Sequence, residues 1–169
     1  DASPRLFEAQ LKLDEKSAAV GQTLMEAKKL ASIDLTVRAI VREPELSIAP
    51  LPDVTLRAGD RLVLHDTAER LMEAARAFGA TLYSHDVAVD AEHPLTAADQ
   101  QTAELVLTPT SPMRGRTFQQ ANLEWQYQLI PLAVHRPGEL AIGAQSKPLR
   151  DVQLGVGDVL LVQGPAAQI

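Results

Sequence analysis

Residues 11–42 read LKLDEKSAAVGQTLMEAKKLASIDLTVRAIVR, and residues 105–136 read LVLTPTSPMRGRTFQQANLEWQYQLIPLAVHR. The second stretch repeats the first. Gly21 aligns with Gly115, Thr23 with Thr117, Ala27 with Ala121, Ala39 with Ala133 and Arg42 with Arg136, all at a constant separation of 94. A closing motif follows in each copy, LRAGDRLVL at 56–64 and LGVGDVLLV at 154–162, where Gly59 aligns with Gly157 and Asp60 with Asp158 at a separation of 98. The second copy therefore carries four more residues between its last strands, as a hairpin insertion would. An internal repeat fixes the folding unit, here a module of about seventy residues, and two copies make a tandem pair rather than a solenoid.

Each copy has the same local grammar. Thr23 is followed at the third position by Glu26, and Thr117 by Gln120, the pattern of a capping box in which hydroxyl and carboxylate or amide satisfy each other's orphan backbone amides. Helices are expected from Leu24 and from Phe118, with inward faces at Leu24, Ala27 and Ala31, and at Phe118, Ala121 and Trp125. Leu11 with Leu13, and Leu105 with Leu107, alternate as short strands before the helices. After them, Leu35, Val37, Ala39 and Val41 share one side of a strand, and Leu129, Pro131, Ala133 and His135 the matching side of the other. Pro131 lacks an amide for a ladder bond and points to an edge or a solvent-facing amide. Turns at Glu43–Glu45 and at Pro137–Gly138 follow, then two closing strands split at Gly59–Asp60 or Gly157–Asp158.

The fold class is thus α+β, as two tandem β-α-β-β-β modules. A helix is expected from Asp66 to Gly79, with Leu71, Met72, Ala75 and Phe78 as its apolar set and Gly79 as its stop. The organisation read from the sequence is a first module with its following helix at 5–80, a linker at 81–101 and a second module at 102–167.

Composition narrows function. The 16 Lys and Arg against 22 Asp and Glu give a formal charge of −6 without any basic run, which argues against a nucleic-acid polymer as partner. With no cysteine, disulfides and thiolate metal sites are excluded. No apolar run approaches the roughly eighteen residues of a membrane span, so these residues are expected to be soluble. The chain opens at Asp1 without an initiator Met and reads as a piece excised from something longer. His65, His85, His93 and His135 show no metal-ligand spacing, and no nucleophile elbow is present, so no enzyme is expected. Gly21, Gly59, Gly115 and Gly157 are expected to serve backbone conformation. Asp60 and Asp158 read as turn formers in preference to cation ligands. Arg38, Arg42 and Arg136 are the candidate ligand contacts, since a guanidinium on a strand can hold a carboxylate or phosphate at two points. Trp125 and Tyr127 suit either a core or an interface.

The ordered set of Gly21 to Leu24, Arg42, and Leu56 through Gly59, Asp60 and Leu62 to Leu64 resembles the TrkA-C family, the C-terminal module of regulators of potassium conductance. Gly115 to Phe118, Arg136, and Leu154 through Gly157, Asp158 and Leu160 to Val162 repeat the set. The tandem arrangement is similar to the cytoplasmic insert of bacterial permeases of the divalent anion to sodium symporter family. The resemblance implies a ligand-sensing or dimerising regulatory region at the cytoplasmic face of the bacterial inner membrane. It implies as partners the membrane-spanning part of the same polypeptide and a second copy in a homodimer, and as ligand a small molecule or nucleotide of unknown identity. Alternatives are a soluble potassium-uptake regulatory subunit and a pure dimerisation scaffold. In nucleotide-binding members an Arg follows the first helix and an Asn opens the next strand. The matching positions here are Glu124 and Ile130, and Leu30 and Thr36, so neither copy carries that site. The Gly-rich dinucleotide fingerprint is also missing, and no NAD site is implied.

Overall fold

The computed structural model describes residues 5–82, 100–137 and 151–165. They fall into two compact units, each built around an antiparallel sheet.

The first unit runs β1 (Leu6–Lys12), α1 (Leu24–Ala31), β2 (Val37–Arg42), β3 (Leu46–Ile48) and β4 (Arg61–Thr67), then α2 (Ala68–Phe78) and β5 (Thr81–Leu82). Its strands lie in the order β3-β2-β4-β1, with β5 added to β1 through Leu11 and Lys12. This is the β-α-β-β-β module expected, followed by its helix. Thr23 caps α1 with both halves of the capping box formed, and Leu24, Ala27 and Ala31 are the buried residues of the helix. On β1, Phe7, Ala9 and Leu11 are buried, and α2 packs on β1, β4 and α1.

Helix α2 starts later than Asp66. Asp66 is still paired with Phe7 in the β1–β4 ladder, so the cap passes to Thr67, whose hydroxyl accepts from the Arg70 amide. The buried face is Leu71, Ala74 and Phe78, at i, i+3 and i+7, with Met72 and Ala75 only half-buried. Gly79 ends it in the left-handed conformation, φ 61°.

The second unit contains β6 (Gln100–Val106), α3 (Phe118–Ala121), α4 (Leu123–Tyr127), β7 (Ile130–His135) and β8 (Val159–Pro165), with β8 pairing both β6 and β7. Thr117 and Gln120 form the second capping box. The expected single helix is broken: Asn122 turns left-handed at φ 53° and ends α3 after one turn. Asn tolerates that conformation better than other non-glycine residues. The side chains of Glu124 and Trp125 lie outside the described residues, as do His85 and His93, Gly138 and the four-residue insertion. The stretch 81–101 read as linker loses both ends to strands, Thr81–Leu82 to β5 and Gln100–Gln101 to β6.

Both copies of the post-helix strand carry a bulge at the same place. The register shifts between Val37 and Ala39 on β2, and between Pro131 and Ala133 on β7. Pro131 is therefore accommodated beside a bulge, where a missing ladder donor is tolerated. Simple alternation also fails here, since Ile40, Leu132 and Val134 are buried along with Ala39, Val41 and Ala133. Among the described residues just before each Gly-Asp turn, where a full strand was expected, there is a single bridge, Thr23 to Thr55 and Thr117 to Gln153.

Candidate functional site

The Gly-Asp turns build a buried polar centre in each module. Gly59 and Gly157 both sit at φ 90°, a backbone that L side chains rarely adopt. The turn is latched to the end of the first strand. The Leu13 amide donates to the Asp60 carbonyl at 2.9 Å and the Gly59 amide to the Leu13 carbonyl at 2.7 Å, and Leu107 makes the same pair with Asp158 and Gly157. This latch aims the aspartate inward. Asp60 is fully buried and Asp158 nearly so.

Arg42 reaches that carboxylate at two points, Nε to Oδ1 and Nη2 to Oδ2, both at 2.9 Å. Its Nη2 also donates to the Thr55 carbonyl, and the Arg57 amide donates to Asp60 Oδ2. Arg136 repeats the arrangement on Asp158 at 2.9 and 2.8 Å, with Nη2 on the Gln153 carbonyl and the Gly155 amide on Oδ2. The hydrogen bond that Arg42 donates to the Asp60 carboxylate raises the Arg42 pKa above its ordinary value, so the guanidinium stays charged. A buried carboxylate held by a bidentate guanidinium and a turn amide is a satisfied ion pair.

The structure places Arg42 and Arg136, two of the three candidate ligand contacts, on these aspartates. Each does hold a carboxylate at two points, but the carboxylate belongs to its own module. Arg38 is the bulged residue of β2 and is exposed. Its counterpart in the second copy, Leu132, is buried, so the position has no common role. The aspartate oxygens likewise accept from Arg and from turn amides.

Two features of the first module were not read from the sequence. One is a polar strip between β1 and β4: His65 Nδ1 lies 2.5 Å from Glu8 Oε1, and Arg61 donates to Gln10 Oε1 at 2.7 Å. Glu8 is buried, and its Oε2 has no hydrogen-bond partner. The aligned residues of the second copy, Thr102 and Gln163, are neutral.

The other is an open groove of about 470 Å³ beside α1. Leu24, Ile33, Pro50 and Pro52 supply its apolar lining, and Met25, Lys28, Lys29 and Asp34 lie around it. Met25 is 49% exposed, and Leu30 and Leu51 nearby in the chain are also exposed. Met25 and Leu30 are apolar residues off the inward stripe of α1, which was the available signal. The residues aligned with Met25 and Leu30, Gln119 and Glu124, are polar.

Two antiparallel modules with matching capping boxes, bulges and Arg-Asp clamps define a tandem-repeat α+β protein. The TrkA-C domain model matches residues 9–79 and again 102–169, and the chain belongs to that family. Among similar proteins, an uncharacterized transporter of Synechocystis sp. is 26% identical over 163 residues, covering 94% of this chain and 26% of the transporter. Sodium/sulfate cotransporter 2 of Chlamydomonas reinhardtii is 25% identical over 158 residues, covering 86% of this chain and 17% of that protein. The chain thus spans about a quarter or less of the length of these relatives. The crystal structure of the GsuK RCK domain aligns with 97% of this chain and 62% of its own, at 12% identity and a TM-score of 0.38. Among the described residues no helix is long and apolar enough to cross a membrane.

Proposed function

We propose that this chain is the regulatory region of a membrane ion transporter, facing the cytoplasm and carried on the same polypeptide as the membrane-spanning part. One observation supports this most strongly. Relatives named as transporters align with nearly all of this chain while most of their own length lies outside the match. The likeness to a sodium/sulfate cotransporter favours a sodium-coupled anion such as sulfate over potassium as the transported species. The chemistry of the described residues suits regulation better than catalysis, because the best-formed polar centres are internal clamps. Regulation would work by a change in the relative populations of two module arrangements, bounded by the ligand's differential affinity for them. A pure dimerisation scaffold is the second reading, favoured by the same internal use of Arg42 and Arg136.

The test uses the full-length gene. Its flanks should show several spans in a nineteen-residue hydropathy window, and replacing residues 5–167 by a short Gly-Ser linker should alter sodium-driven sulfate uptake while membrane insertion is retained. Flanks without spans, or uptake unchanged in rate and substrate dependence, would overturn the proposal. A thermal-shift panel of nucleotides, divalent cations, dicarboxylates and sulfate separates sensor from scaffold, since a ligand that binds only the folded state raises its stability.

A further inference from the structure

We propose that Glu8 and His65 form a proton-operated switch in the β1–β4 ladder of the first module, holding the start of β2 when His65 carries its proton and loosening it when the proton leaves. The switch is argued from the first module alone and stands whether or not the chain regulates a transporter.

The two residues face each other directly across the ladder. His65 Nδ1 lies 2.5 Å from Glu8 Oε1, with the side chains 21% and 5% exposed respectively. Solvent protons therefore reach the imidazole, while the carboxylate is enclosed and its Oε2 has no hydrogen-bond partner. A buried carboxylate is costly unless an opposite charge balances it. The imidazolium supplies that charge. The neutral ring keeps one hydrogen bond, in its Nδ1–H tautomer, and loses the charge balance.

Strand residues alternate between faces, so Glu8 shares its face with Leu6 and Gln10 on β1 and with Val63, His65 and Thr67 on β4. Lys12 and Arg61 oppose each other four positions along the ladder, and Arg61 donates to Gln10 Oε1. Strand β2 adds Ala39 and Val41 beside Val63, and its Arg38 is bulged and exposed. Strand β5 brings Thr81 and Leu82, neither of which titrates. Helix α2 packs on the opposite face, where its Arg70 approaches Asp66 to 3.6 Å. His65 is thus the cation in contact with Glu8 among these described groups.

The fold does not require this pair. In the second module the corresponding ladder partners are the neutral Thr102 and Gln163, and β6 pairs with β8 without a break. What the pair adds is a link to the start of β2. The His65 amide donates to the Thr36 carbonyl at 3.0 Å, and the Thr36 amide donates to Oδ2 of the adjoining Asp66 at 3.3 Å. Immediately beyond, the β2–β4 register shifts between Val37 and Ala39, and a bulge disrupts the ladder locally. A change at His65 therefore acts where β2 is least firmly held.

Urea unfolding of the 169-residue chain, followed by circular dichroism and by the Thr36 amide in heteronuclear NMR, tests this. Measurements at about pH 5.5 and about pH 8 lie on either side of the range in which an imidazole exchanges its proton. A folded state that favours the imidazolium has this stabilisation at the lower pH and loses it as pH rises. Between the two values the unfolding constant of the wild type should rise about tenfold or more relative to that of Glu8→Gln or His65→Gln. Comparison with the wild type cancels the other three histidines. Glu8→Gln should be less stable than the wild type at the lower pH and at least as stable at the higher, whereas loss of a merely structural hydrogen bond would cost the same at both. In the wild type the Thr36 amide resonance should move over this interval, and in His65→Gln it should stay in place. Equal losses at both pH values overturn the proposal. So does a Thr36 resonance indifferent to pH in the wild type, a measurement that needs no variant to fold.

Discussion

Replacing Arg42 by Met should unfold the first module far more readily than its partial exposure suggests. The Arg42 side chain is 19% exposed, but the Asp60 side chain that it serves is 1% exposed. Removing the guanidinium takes away two of the three hydrogen bonds to that carboxylate, leaving the Arg57 amide as the remaining one. Breaking a buried pair from one side costs about 3–5 kcal/mol, because the remaining charge has no compensation. The Thr55 carbonyl also loses its donor. At the lower end, 3 kcal/mol corresponds to a fall in Tm of about 12–24 °C for a module of this size. Asp60→Asn should cost less, about 1.5–3 kcal/mol, since it removes the charge along with the charge-assisted bonds. The double variant should therefore be more stable than the sum of the two losses, and the shortfall is the coupling energy. Urea unfolding followed by far-UV circular dichroism measures each term. Arg136→Met and Asp158→Asn provide an internal replicate in the second module, where the same bonds recur. A cost below about 1 kcal/mol for Arg42→Met would refute the argument, because it would mean that solvent screens the pair as it does on an open surface.

The capping boxes make a matched pair of tests. Thr23→Ala and Thr117→Ala should each cost about 1 kcal/mol in urea unfolding, the usual value of a lost cap. Their pH behaviour should differ. The Thr23 backbone amide, and then its side chain, lower the Glu26 pKa below the ordinary 4.5. A depressed folded value means that the contribution is present above the unfolded pKa and disappears as pH falls through the folded one. An NMR titration should thus find Glu26 titrating below 4.5, whereas Gln120 carries no proton to lose, and Glu26→Gln should remove the dependence. Gly164→Ala should destabilise the second module by about 1–3 kcal/mol, as overpacking does, because its Cβ would lie 2.6 Å from Leu129 Cδ2 and 2.9 Å from the Gln128 carbonyl. A thermal melt unchanged from wild type would count against that close approach.

What the sequence displayed followed the range of the forces involved. Helix starts at Leu24 and Phe118 were legible because a capping box spans four residues. The cap of α2 was misplaced by one residue because Asp66 is claimed by a ladder partner, Phe7, far away in sequence. The polar opening of β6 gave no strand signal, yet Gln100 to Thr102 are paired with Gln163 to Pro165 on β8. Arg42 and Asp60 were each singled out, and their bond was missed, because 18 residues separate them and no periodicity links them. The repeat held the missing clue, since both copies keep the Arg and the Asp in the same order. That comparison can be pushed further. Features present in both modules, namely the caps, the bulges, the Gly-Asp turns and the Arg-Asp clamps, are what the module needs in order to fold. Features carried by one module alone are not required by the fold, since the other copy forms its sheet without them. The exposed Met25 and the Glu8–His65 pair are of that second kind, with Gln119, Thr102 and Gln163 in their places. They are therefore where a difference in task between the two modules has a physical footing.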